Sequence, residues 1–167
     1  MSSASASRCN KGISYQPPGK NFSWRGLGSN TNAGRALRIP ESCTLKPVID
    51  LRALAGEDFC YLTTTGRVTG SAHEIEIWFE IGPDGHTIFM LAGSGDRADW
   101  VRNLRRDPEV TVRLAGECFG GRARVVEDPE EDELVRRLLV DKYEMSPGRL
   151  SDWRRRALPV AVDLSIR

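Results

Sequence analysis

The 167-residue chain has little of what metal and nucleophile chemistry needs. Its four cysteines (Cys9, Cys43, Cys60 and Cys118) include no C-x-x-C pair, and it has two histidines, His73 and His86. A structural zinc site takes about four clustered nitrogen or sulfur ligands, and no such cluster is visible. The cysteines therefore read as free thiols in a reducing compartment. No G-x-S-x-G occurs, and neither histidine has a serine or cysteine partner by spacing, which argues against nucleophilic catalysis. Walker A and Rossmann spacings are absent. No apolar run approaches the roughly 20 residues of a membrane helix, and no signal-peptide core is present. A cytoplasmic protein without a transmembrane segment is expected. The formal charge of +1 gives no general attraction to nucleic acid or membrane, so no specific nucleic-acid partner is expected.

What is present divides unevenly. Residues 1–44 hold six Lys or Arg and one acid, Glu41, and twenty of these 44 residues are Ser, Gly, Asn or Pro. Such a composition cannot bury enough apolar surface to offset backbone ordering. The segment reads as a disordered basic arm, with an over-extended start or a transit peptide as alternatives. Residues 45–167 form the expected single domain.

Within that domain, residues 48–55 can form a short helix, which Gly56 would stop. Strand signals follow at 59–65 and 73–81. The second alternates strictly, with Ile75, Ile77, Phe79 and Ile81 on one face and Glu74, Glu76, Trp78 and Glu80 on the other. Pro83, Asp84 and Gly85 make a turn into a third strand at 86–92. A helix runs to Pro108, with Asp96 as its expected cap and Asp99 three places on. Strands at 109–114 and 118–127 meet at a turn around Gly116. Asp128 and Pro129 then open a longer helix, its inner stripe made by Leu134, Val135, Leu138, Leu139 and Tyr143. A strand at 158–166 ends the chain. Six antiparallel strands with two or three flanking helices predict a mainly β, partly closed barrel.

Two loops favour anions. In Thr63-Thr64-Thr65-Gly66-Arg67-Val68-Thr69-Gly70, Arg67 offers a planar fork of donors inside a turn, with Thr63, Thr65 and Thr69 adding hydroxyls. In Gly93-Ser94-Gly95-Asp96-Arg97, a strand passes to a helix N-terminus, where free N–H groups attract negative charge. Taken singly, each loop also reads as a plain turn. Glu74 and Glu76 could pair as carboxylates, or simply face solvent. Trp78 on their face implies that something covers it: a subunit, a helix or a ligand.

The stretches Leu62 to Gly70, Gly93 to Gly95 and Asp99 to Pro108, in that order, resemble the deazaflavin-dependent nitroreductase family, which has a split β-barrel of the flavin-reductase-like kind. The likeness covers residues 45–167. It implies an enzyme using reduced 8-hydroxy-5-deazaflavin (coenzyme F-420), with FMN as the alternative. Hydride would pass to a small electron-poor acceptor such as a quinone, enone or nitro compound. A non-catalytic coenzyme-binding protein is a further alternative. The resemblance places Arg67 and Thr69 at the phosphate side, with Thr65 and Val68 of the same turn also counted as coenzyme-binding. It lines the ring with His73, Glu74, Ile75, Glu76 and Ile77, and covers it with Met90, Leu91, Ala92 and Gly93. Arg97, Asp99, Trp100, Val101, Arg102 and Asn103 belong to the helix end, and Tyr143 is the candidate proton donor. Val68 departs from the family, which commonly carries a basic residue there. A homodimer is expected because open barrel edges want covering.

Overall fold

The computed structural model describes residues 50–165. The arm expected at 1–44 and the start of order near Leu45 lie outside the described residues. Seven strands form one antiparallel sheet in the order β2-β1-β5-β6-β7-β4-β3. They are β1 (Cys60–Thr65), β2 (Ala72–Ile77), β3 (Glu80–Ile81), β4 (Thr87–Ala92), β5 (Glu109–Leu114), β6 (Glu117–Val125) and β7 (Leu158–Leu164). Three helices accompany them: α1 (Asp99–Arg106), α2 (Pro129–Tyr143) and α3 (Ser151–Arg156). The helix expected at 48–55 shrinks to a 3-10 turn at Arg52–Leu54.

The extra strand comes from a break in the alternating run 73–81. β2 and β3 lie at opposite edges of the sheet, yet only Trp78 and Phe79 separate them. Three Cα steps span at most about 11 Å. The sheet must therefore curl until its edges nearly meet there, as a split barrel does. The period of two continues across the break in burial, with Phe79 and Ile81 both inside, so the alternation alone does not reveal the change of strand.

β4 is buried along its whole length. Ile88, Met90 and Ala92 join the barrel core with Leu62, Val101, Leu104, Val112, Val160 and Val162. Phe89 and Leu91 point the other way, into a second cluster with Val135, Leu139 and Ala161. A strand covered on both faces reads as a continuous apolar run, which is what Ile88–Ala92 is, after the hydrogen-bonded Thr87 that opens the strand. α2 starts as expected: the Asp128 carboxylate accepts from the Glu131 N–H at 2.8 Å, and proline opens the helix.

Cys60 is a free, buried thiol, whereas Cys118 is disulfide-bonded, which corrects the reading of four free thiols. Burial pushes the Cys60 thiol up from 9.0 to about 12, against a smaller opposing pull from Lys142. With the folded value above the unfolded one, the neutral thiol stabilises the fold fully below pH 9.0. That contribution is lost as pH rises through the folded value of about 12. Urea midpoints measured across this range should fall more steeply for the natural chain than for Cys60→Ala.

Candidate functional site

The β1–β2 hairpin turns through Gly66 to Ser71. Gly66 N–H donates to the Ser71 carbonyl at 2.7 Å, and Gly70 N–H donates back to the Gly66 carbonyl at 2.8 Å. Gly66 is required by a neighbour: a Cβ there would sit 2.5 Å from His73 Nε2, so the imidazole lies directly against the backbone. Gly70 has φ +70°, the left-handed region glycine favours.

This turn presents Arg67 to α1. Its backbone N–H donates to Asn103 Oδ1 at 3.1 Å, and Nη1 donates to the same oxygen at 3.2 Å. Nη2 donates to Asp99 Oδ1 at 2.9 Å. Asn103 is buried, and its Nδ2 donates to Thr64 Oγ1 at 3.2 Å. One side chain thus locks β1, the Arg67 turn and α1 together. Among the residues expected at the site, Arg67, Asp99 and Asn103 are the three brought into direct contact.

Asp96 does not cap α1, contrary to expectation. A 3-10 turn at Gly95–Arg97 intervenes, and the cap position falls to Ala98, whose side chain accepts nothing. The Asp96 carboxylate pairs with Arg105, and its carbonyl accepts from Arg102 Nε at 3.2 Å. The N–H groups of Asp99, Trp100 and Val101 consequently have no acceptor among the described residues. Such groups at a helix N-terminus favour an anion. Arg97 is exposed and has no ion pair among the described residues. Asp99 is the opposing charge, and Arg67 offsets it. This donor set fits a phosphate.

Other expected residues fall elsewhere. On β2, His73, Ile75 and Ile77 are half-buried, with both isoleucines against the core. Glu74 and Glu76 face the opposite way. Glu74 pairs with Arg113 at 2.7 Å, and Glu76 accepts from the Tyr61 hydroxyl at 2.7 Å, with the Arg113 guanidinium 3.9 Å above the Tyr61 ring. They form a surface network apart from Arg67. The side chains of Met90, Leu91, Ala92 and Val101 are closed within the core. Trp100 is half-buried against the core, Thr65 is half-buried, and Val68 and Thr69 stand exposed on the turn.

Tyr143 is placed for support. Its hydroxyl accepts from the Phe79 N–H at 3.1 Å and lies 2.9 Å from the carbonyls of both Asp58 and Phe79. Its single proton is taken by one of these carbonyls, and burial raises its pKa far above the ordinary phenol value. A hydroxyl so bound is a poor proton donor to a substrate, which speaks against the expected catalytic role. Its ring stacks on Trp78 at 4.6 Å between centroids, and Trp153 meets Trp78 edge-on at 5.6 Å. The cover expected over Trp78 is therefore supplied by α2 and α3. Sequence reading missed Trp153; its one signal was a large aromatic amid the charges of Ser151–Arg156.

No curated protein matches the chain. Among solved structures, an F420-H2 dependent reductase is 20% identical at TM-score 0.53, covering 64% of this chain and 95% of the other. A conserved hypothetical protein from Mycobacterium tuberculosis is 20% identical at TM-score 0.55, covering 74% and 86%. A domain-swapped dimer is 21% identical at TM-score 0.53, covering 64% and 81%. At such identities these likenesses establish the shared fold. The sequence itself says more: the model of the F420H2-dependent quinone reductase family matches residues 49–165. The chain belongs to that family, and with it to the deazaflavin-dependent oxidoreductases that use reduced coenzyme F-420.

Proposed function

We propose that the protein reduces a small quinone-type acceptor, and that the phosphate end of its coenzyme lies between Arg67 and the N-terminus of α1. The observation that carries this reading is the uncapped α1 terminus beside a guanidinium fixed by Asn103 and Asp99. When bound, the reduced deazaflavin supplies hydride. The chain's own part is binding, orientation and exclusion of water. Arg67 and the free N–H groups hold the anion, while Asn103 keeps the turn and the helix in register. Thr65, Val68, Thr69 and Arg97 stand at the rim, and His73, Ile75 and Ile77 form the flanking β2 wall. With Tyr143 committed to backbone, the proton that accompanies hydride comes from solvent.

Fluorescence titration with reduced coenzyme F-420 and with FMN, followed by turnover of a naphthoquinone, tests the proposal. Tight deazaflavin binding with oxidation by the quinone is expected. Binding of FMN alone would sink the coenzyme placement, and binding without oxidation by any acceptor would make the protein a carrier.

A homodimer belongs to this reading as well. β2 is an edge strand whose outward residues are exposed, and such edges invite covering. A monomer mass by light scattering at micromolar concentration would remove that part. The cytoplasmic location also stays with this reading, resting on the coenzyme dependence of the family, with the disulfide at Cys118 weighing against it; recovery of the protein outside the cytoplasmic fraction would dismiss it.

A further inference from the structure

The aromatic group behind the 93–98 loop has a feature that packing does not use. A Cβ placed on Gly93 would lie 3.2 Å from Trp153 Nε1 and 3.4 Å from its Cδ1. The N–H edge of the indole therefore rests against the exposed Gly93 backbone, at the start of the loop that leads to the α1 terminus. That N–H has no acceptor among the described residues. The nitrogen is not among the buried side-chain atoms left without a partner, so an incoming group can reach it, while the rest of Trp153 is half-buried against the second core cluster.

The ring carrying this donor is held by a relay of contacts. Trp153 meets Trp78 edge-on at an interplanar angle of 82°, and Trp78 stacks on Tyr143 at 5°. The Tyr143 hydroxyl is pinned to the Phe79 backbone. Three aromatic residues and one backbone anchor thus fix where a single unused donor points. Glycine at 93 leaves room in front of it.

We propose that Trp153 positions the electron acceptor, its indole N–H donating a hydrogen bond to a carbonyl oxygen of the quinone at the Gly93 rim. This rests on the functional reading above. The indole keeps its proton throughout. The quinone gains one hydride and one solvent proton to become hydroquinone, while the coenzyme returns to its oxidised form. A hydrogen bond that strengthens as negative charge gathers on that oxygen helps the transition state more than the ground state.

The test uses the full chain labelled with 15N at tryptophan indoles and loaded with oxidised coenzyme, so that no turnover occurs. Titration with a soluble naphthoquinone should move the Trp153 indole resonance downfield, identified by its absence in Trp153→Phe. If that variant folds poorly, Gly93→Ala identifies the same resonance by shifting it, since the new Cβ meets the indole edge. In steady-state assays, Trp153→Phe should lose about fivefold to tenfold in kcat/KM for the quinone. It should keep coenzyme affinity within twofold and leave reduction of a phenazinium dye, which lacks a carbonyl, unchanged. An unmoved indole resonance in the presence of saturating quinone overturns the proposal. Equal losses for quinone and dye overturn it too, by making Trp153 structural. Failure of the natural chain to bind any deazaflavin would instead refute the coenzyme placement. The indole resonance with quinone alone would then still decide the role of Trp153.

Discussion

Arg67→Ala should weaken binding of reduced coenzyme F-420 by about tenfold to a hundredfold and leave the fold nearly untouched. Hydrogen bonds to a charged partner contribute about 1.5–3 kcal/mol each, and about 1.4 kcal/mol is a factor of ten. The stability cost is small for a structural reason. The Asp99 partner is largely exposed, with 79% of its side chain accessible, and exposed ion pairs contribute little. Asn103 Oδ1 also keeps its bond from the backbone N–H at position 67, which alanine retains. Arg67→Lys should fall between the two, keeping the charge but losing the planar fork that reaches Asn103 and Asp99 together. Fluorescence titration at low and high salt would measure these differences, with a thermal melt as the control for folding. An affinity unchanged in Arg67→Ala would move the phosphate away from this turn.

Tyr143→Phe should do the reverse, lowering stability while sparing turnover per folded molecule. The hydroxyl accepts the Phe79 N–H and donates to a backbone carbonyl, so its removal strands a backbone donor in a half-buried setting. An unsatisfied group of that kind costs about 1–3 kcal/mol, enough to lower Tm by several degrees in a domain of this size. The Trp78 stack survives, because phenylalanine offers the same ring face. Calorimetry beside single-turnover kinetics separates the two roles. A chemical step slowed a hundredfold at unchanged Tm would restore Tyr143 as proton donor.

The fold was readable wherever one physical rule governed a stretch. β-branched and aromatic content marked β1, alternation marked β2, Asp128 and Pro129 marked the start of α2, and two-sided burial made β4 an almost continuous apolar run. The split of 73–81 into β2 and β3 was hidden because Phe79 and Ile81 stay in phase across the break. Only the topology of the whole sheet reveals it. Asp96 looked like a cap because Asp is a favoured capping residue, but the 3-10 turn at Gly95–Arg97 shifts the helix start past it. At the site, Arg67 was legible as an unexplained cation in a turn. Its tie to Asn103 spans 36 residues, a distance no local pattern encodes. Trp153 was not legible, since a helix of six residues dominated by charge gives no amphipathic signal around it.

The two-residue passage of Trp78 and Phe79 has a mechanical meaning. It acts as a covalent clasp across the seam of the barrel, doing without a crosslink what a disulfide does elsewhere. Strands at the two sheet edges cannot splay apart at that end unless the clasp itself unwinds, and Tyr143 and Lys142 both bind the Phe79 backbone within it. The barrel wall is stiff there by construction. If the acceptor sits at the Gly93 rim as proposed, room for acceptors of different size comes from the 93–98 loop and the connection between α2 and α3. A collection of variants selected for new acceptors should accordingly change those two segments and leave the clasp alone.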